Sequence, residues 1–472
     1  MLVSSHSKFS ALTALLALLG TSPASAQNGA LRLAPYSTEV RAAAATEAET
    51  QTESTEESRA ADAGATFDQN YELDRTGEAG AEPDFHAILR KAVRSRAGKK
   101  TVLVTPAVQY GVRFTGPSTY HEGEDVPIPP ASTNKIFTTA LVLKELGGDY
   151  RYDTRLTWVK SKAAPEAGYV TFVGSGDPSL ATIDLAKLGD EYATKLLAAG
   201  VKKLYGPLLY GATDDRWNVR AVPQGWEAGD LRTATGYIPD ALGTLVEAKV
   251  KSVFAARFAA KGIKWTTAAA PFARTAGDEG SASHLSAPLR ELIQPFVLHS
   301  INYKGEAFLR KVGELKGSRY AANLHEAGLA MLREFVATTL MKNGNFLPVT
   351  LNDGSGLSRE SRVTANAMVT FLEAVKDEPY FADFFAALPT AGRTGTLGRR
   401  MAGTAAAGRI HAKTGTLDGN YQLAGYLVEA TKSGNEYHPF AILTDTTAAS
   451  AGYCHMVQDA ALASLAGWML KR

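Results

Sequence analysis

Cysteine is all but missing: Cys454 is the only one in 472 residues, so no internal disulfide can form. An excess of charge of one sign is missing too. Lys and Arg number 50 against 48 Asp and Glu, a formal net charge of +2, and no basic surplus points to nucleic acid. No apolar run is long enough to span a bilayer, which takes about 20 residues. Neither His-Glu-x-x-His nor a Cys/His cluster is present, so the expectation is chemistry without a metal or cofactor. There is no Gly-x-Ser-x-Gly elbow either. A Ser-His-Asp hydrolase of that kind is therefore excluded, even though His299 adjoins Ser300 and His411 lies near Lys413. What remains is a chain with 45% hydrophobic residues, enough for a soluble globular protein of two or three domains.

The N-terminus reads as a secretory signal over residues 1–26. Lys8 supplies the positive start, Ala11 to Leu19 a short apolar stretch, and Ala24-Ser25-Ala26 a small-x-small cleavage site. The mature chain is expected to begin at Gln27 and to be periplasmic. Residues 27–82 are rich in Ala, Glu and Thr and poor in large apolar side chains. Such a stretch cannot offset the entropy of ordering, and it reads as a disordered spacer.

Periodicity then sets in. Phe85, Ile88, Leu89 and Val93 recur at helical spacing. Strands are expected at Thr101 to Thr105 and Val108 to Phe114, and a buried helix follows. That helix begins after Pro129-Pro130, runs through Ile136 to Leu143 and stops at Gly147-Gly148, the Pro-first, Gly-last polarity of a helix. Residues 156–275 read as a smaller α/β insert, with strands at Tyr150 to Val159, Gly168 to Val173 and Lys203 to Tyr210, and helices at Leu185 to Leu197 and Ala248 to Ala260. Further helices are expected at Leu289 to Leu298, Glu326 to Leu340 and Ala365 to Val375. Three strands follow at Arg409 to Thr414, Gln422 to Ala430 and His438 to Thr444, then a C-terminal helix from Ala448 to Leu470, which reads as a core helix rather than a membrane anchor. The main domain is thus discontinuous, residues 83–155 and 276–472, and of the α/β (α+β) class.

Ser132 opens the buried helix with Lys135 one turn on, so a hydroxyl and an amine share one face. Such a pair arises by chance about once or twice in a chain this long, and Ser5 to Lys8 is another instance. On the pair alone, Ser132 reads first as an N-cap, a role compatible with that of a nucleophile. Two later elements complete an acyl-transfer site: Ser300-Ile301-Asn302 and Lys413-Thr414-Gly415-Thr416. Ser132 would be the nucleophile and Lys135 its base. Ser300 could relay the proton to the leaving amine. Asn302 suits a substrate amide, and Lys413 with Thr414 suits a terminal carboxylate. Gly415 would let substrate lie along an edge strand, and the N–H groups of Ser132 and Thr416 would hold the oxyanion. Ser433-Gly434-Asn435 also fits Ser-x-Asn, but it stands after Lys413 and reads as a hairpin turn. Arg393-Thr394-Gly395-Thr396 echoes the third element without a strand behind it.

With these elements in this order, the chain resembles the low-molecular-mass penicillin-binding D-alanyl-D-alanine carboxypeptidases and endopeptidases, within them the class with a large insert between the first two motifs. Gly176-Asp177-Pro178-Ser179-Leu180 and Asp353-Gly354-Ser355-Gly356-Leu357-Ser358-Arg359 match as well. The resemblance implies a penicillin-binding transpeptidase/β-lactamase-like domain: an antiparallel sheet, helices on both faces and a central buried helix. It implies as partners peptidoglycan peptides ending in D-Ala-D-Ala, and β-lactams as covalent inhibitors. It also implies that an acidic residue after Gly225-Trp226, Asp230 with Glu227 in reserve, meets the free amino end of the stem peptide. Two departures stand out. Ile301 replaces the usual acidic residue, and the span from Ser132 to Ser300 is short for this class, so one insert domain is expected rather than two. A serine β-lactamase shares the three motifs but adds a dedicated deacylating base, which nothing here identifies. A non-catalytic wall-binding protein would have no need of all the intact site residues. Nothing in the sequence sets the oligomeric state or the balance between carboxypeptidase and endopeptidase action.

Overall fold

A computed structural model describes residues 82–472 apart from 98–99, 211–223, 226–243, 267, 269–279, 318–322 and 343–346. Residues 1–26, expected to be an export signal, nearly all of the expected spacer, Glu227 and Asp230 lie outside the described residues.

The first helix, α1 (Phe85–Leu89), is capped by Asp84, whose carboxylate accepts from Ala87 N at 2.9 Å. It is shorter than its periodicity suggests, because Val93 already starts a hairpin, β1 (Val93–Ala97) with β2 (Lys100–Val104). Strands β3 (Gln109–Phe114) and β4 (Tyr120–Glu122) lead to the buried helix α2 (Lys135–Leu146). Every residue of α2 from Lys135 to Leu143 is buried.

A second sheet follows from β5 (Asp153–Lys160), β6 (Ala167–Val173), helix α3 (Thr182–Ala198), β7 (Lys203–Tyr210), helix α4 (Thr244–Ala260), β8 (Lys264–Thr266) and β9 (Gly280–Leu285). Its order is β8-β7-β6-β5-β9, parallel on the β8-β7-β6 side and antiparallel on the other. Its core sets Leu156, Val170 and Phe172 against Leu188, Tyr192 and Phe254 from the helices.

The chain then runs through α5 (Leu289–Leu298), α6 (Asn302–Lys316), α7 (Leu324–Lys342), α8 (Ala365–Lys376) and the short α9 (Phe381–Ala386). It reaches β10 (Ile410–Leu417), β11 (Asn420–Thr431), β12 (Gly434–Asp445) and the last helix, α10 (Ala451–Met469). The main sheet is antiparallel throughout, in the order β10-β11-β12-β3-β4, with β10 at an edge. Alternation along β11 divides its side chains between two cores. Ala424 and Tyr426 pack on the side of α2 and α8, while Leu423 and Leu427 pack on the side of α10. Helices therefore cover both faces, as the resemblance implies. Lys432 and Ser433 form the β11–β12 turn, and Gly434 pairs with Thr431 at the start of β12.

Helix α6 is the element that periodicity misses. Lys304, Glu306, Arg310 and Lys311 are buried in it, and Gly305 and Gly313 interrupt it, so no clean apolar stripe shows. Tertiary contacts explain both features. His325 Nε2 of α7 lies 2.7 Å from Glu306 Oε2. At Gly313 a Cβ would meet Gly328 N at 2.8 Å, so the α6–α7 crossing requires the missing side chain.

Candidate active site

Ser132 lies in a single 3₁₀ turn, Ala131–Asn134, that runs straight into α2. Its expected capping role is not observed, since neither helix start has a side-chain cap. Thr133 takes up the local carbonyl instead, its Oγ1 donating to Pro130 O at 2.6 Å. That leaves the Ser132 hydroxyl to Lys135, whose Nζ lies 2.8 Å from it.

Lys135 is completely buried. Besides Ser132, its Nζ donates to Asn302 Oδ1 at 2.8 Å and to the Ser355 carbonyl at 2.7 Å. These bonds span 167 and 220 residues of sequence and join the first two motifs around one nitrogen. Asn302 is the first residue of α6. Its carboxamide is tied by one end to Lys135, an attachment the sequence reading, which paired it with substrate, did not contain. Ser300 bridges α5 and α6 with a φ of +58°, rare for a residue with a side chain. It is 7% exposed, and among the described residues its Oγ has no hydrogen-bond partner. A buried hydroxyl with an unmet bond, held in a strained backbone, fits a site that proton transfer will use.

The loop 352–359 is the part that sequence reasoning missed as site machinery. It reads as a polar Gly-rich loop, yet Asp353, Ser355 and Ser358 are fully buried. Asp353 accepts from Gly356 N and Ser358 N, both at 2.7 Å, and Asn134 Nδ2 donates to its carbonyl at 2.9 Å. Thr138 Oγ1 donates to Gly354 O at 2.7 Å, and Gly354 N to Glu306 Oε1 at 3.1 Å. Burial pushes the Glu306 carboxyl up in pKa, but the hydrogen bond and charge of His325, helped by Ser355 and the Arg310 charge, bring the net direction down. The loop thus grips the Ser132 turn and the start of α2. Gly356, at φ +86°, has no room for a Cβ, which would strike the Ala131 carbonyl. Gly356→Ala is expected to destabilise the fold by more than about 2 kcal/mol and to slow acylation. Thermal unfolding alongside a penicillin-binding time course checks this, and an unchanged pair of values would refute it.

The third motif is on β10. Lys413 is fully buried, and its Nζ donates to Thr414 O at 2.7 Å. Thr414 Oγ1 donates to Thr396 Oγ1 at 2.8 Å, so the segment dismissed as an echo reaches the site after all. A Cβ at Gly415 would lie 2.9 Å from Pro130 O and 3.0 Å from Thr133 N. The glycine is needed first for the Ser132 turn to seat on the strand, a reason different from the room for substrate expected above. Gln422 Nε2 fastens the same segment by donating to Pro129 O at 2.7 Å. Thr416 is half-buried at the strand edge. Burial lowers the pKa of His411, and its Nδ1 pairs with Thr390 Oγ1 at 3.2 Å. From the insert side, the turn Gln224–Gly225 docks on the 352–359 loop. Ser358 Oγ donates to Gln224 O at 2.6 Å and Arg359 N to Gly225 O at 3.0 Å.

Comparison with known proteins finds a match to the D-Ala-D-Ala carboxypeptidase 3 (S13) family over residues 113–250 and 246–464. A D-alanyl-D-alanine carboxypeptidase of Actinomadura sp. (strain R39) is 28% identical over 437 residues, covering 73% of this chain and 78% of that protein. Carboxypeptidase DacB of Mycolicibacterium smegmatis is 28% identical over 348 residues, covering 67% and 71%. Among solved structures, penicillin binding protein 4 of Haemophilus influenzae superposes with a TM-score of 0.59 at 19% identity, covering 74% of this chain and 95% of that one. That likeness is one of fold.

Proposed function

The chain belongs to the D-Ala-D-Ala carboxypeptidase 3 (S13) family and is a serine peptidase, and from that premise we propose how its own residues divide the work. Ser132 Oγ attacks the carbonyl carbon of the penultimate D-alanine. Lys135, as a neutral amine, takes the hydroxyl proton. The oxyanion forms between the N–H groups of Ser132 and Thr416, at the positive end of α2. Ser300 passes a proton to the nitrogen of the departing D-alanine, the C–N bond breaks, and an ester on Ser132 remains. Water then cleaves that ester and restores the hydroxyl. Asn302 orients the peptide amide, Lys413 and Thr414 hold the terminal carboxylate, and Gly415 leaves room along the strand. Opening of a β-lactam amide by the same attack leaves the product tethered to Ser132, which makes such compounds covalent inhibitors.

The observation that carries this reading is Lys135 Nζ, buried and 2.8 Å from both Ser132 Oγ and Asn302 Oδ1. The same proposal takes Asp230 as the group that meets the amino end of the stem peptide. It also takes residues 1–26 as an export signal cleaved after Ala26, for periplasmic work. We place the insert at residues 153–285, wider than 156–275, because β5 begins at Asp153 and β9 ends at Leu285 in one sheet. Purified protein given stem pentapeptides is expected to release one D-alanine per peptide. Cross-linked wall fragments report the endopeptidase share. Intact pentapeptide after prolonged incubation with protein that binds penicillin would overturn the assignment of substrate.

A further inference from the structure

We propose that Thr396 is a positioning residue for the substrate's terminal carboxylate, acting through the Thr414 hydroxyl; this rests on the reading of Thr414 as a carboxylate ligand. The two Oγ1 atoms are 2.8 Å apart, and Lys413 Nζ lies 3.5 Å from Thr414 Oγ1. A carboxylate is acceptor-only, so Thr414 must turn its proton toward it. Its oxygen then needs a donor in exchange. The Thr396 hydroxyl is in place to supply one, and rotation of the two O–H bonds reverses the roles without moving either oxygen. Two hydroxyls aligned in series toward an anion polarise one another.

The position of Thr396 is set from both sides. The turn Gly395–Leu397 is closed by Gly392 N donating to Leu397 O at 2.9 Å, and Ala391 N donates to Ile410 O at the start of β10, also at 2.9 Å. On the opposite side, a Cβ at Gly395 would lie 2.7 Å from Leu298 O, two residues before Ser300. The turn is wedged between the second and third motifs, and Thr396 is the hydroxyl it presents to β10.

The test compares kcat/KM on a peptide ending in D-Ala-D-Ala with the same peptide carrying a terminal carboxamide. Thr396→Val is expected to lower the value for the acid about tenfold, mainly through KM, and to leave the amide unchanged. Thr396→Ser, which keeps the hydroxyl, is expected to stay within about twofold of wild type on both. An equal loss on acid and amide, or no loss on the acid, would overturn the role of Thr396. Thr414→Val separates the two layers. If it does not narrow the acid-to-amide ratio, the Thr414 reading fails. If it narrows the ratio and Thr396→Val does not, the role of Thr396 alone fails.

Discussion

Ser132→Ala is expected to form no covalent adduct with a labelled penicillin and to lose D-alanine release by at least about four orders of magnitude, the scale seen when a serine peptidase loses its nucleophile. The fold should tolerate the change. Ser132 caps neither helix start, and among the described residues its hydroxyl bonds to Lys135 alone. Removing it takes away a single acceptor from an amine that keeps Asn302 and Ser355. The thermal midpoint should therefore move little while the chemistry disappears. Intact-mass measurement after penicillin treatment reads the first effect and calorimetry the second. A full adduct on the alanine variant would place the nucleophile elsewhere and undo the assignment.

Lys135→Met should be nearly as severe for activity, a fall of about 10³- to 10⁴-fold in acylation, at the upper end of what a general base contributes. Two effects oppose each other in stability. The thioether fills most of the buried volume and removes an ionisable group from a dry site, which favours the variant. The Asn302 and Ser355 oxygens lose their donor, which costs about 1–3 kcal/mol for each buried acceptor left unmet. The second effect should win by a small margin, leaving a folded, slightly less stable protein that acylates very slowly. Stopped-flow acylation with unfolding curves on the same sample separates the two. Wild-type acylation by the methionine variant would show that the proton leaves Ser132 by another route.

The site's geometry was legible in the sequence where its contacts are local. Ser132 and Lys135 are one helical turn apart, so their meeting needs only the helix that Pro130 and Gly147 frame. Lys413, Thr414 and Gly415 are consecutive on a strand. The order of the motifs, more than any one of them, separated Ser300-Ile301-Asn302 from the turn at Ser433-Gly434-Asn435. Reading failed where polar residues are buried by partners on another element, whether 19 residues away or 219. Helix α6 hides Glu306 against His325, and neither periodicity nor propensity shows a carboxylate that tertiary contacts will satisfy. Asp353 looks like a loop former, because its bonds to Gly356 and Ser358 are local while its bond to Asn134 crosses 219 residues.

By itself, then, the sequence pointed to most of the elements, though not to α6, and to the three motifs with the candidate reacting groups they carry. All of these rest on spacings of a few residues, which the geometry of helix and strand converts directly into shared faces. The tertiary structure alone decided which oxygens receive the Lys135 amine, that Ser132 is released from capping, that the 352–359 loop clamps the nucleophile turn, and that Thr396 stands behind Thr414. The Lys135 contacts join segments 167 and 220 residues apart, and even the Thr396–Thr414 bond, across 18 residues, lies beyond the reach of a local pattern. There a missing Cβ at Gly356 or Gly415, or a single buried hydrogen bond, selects one arrangement among many that the local pattern would permit.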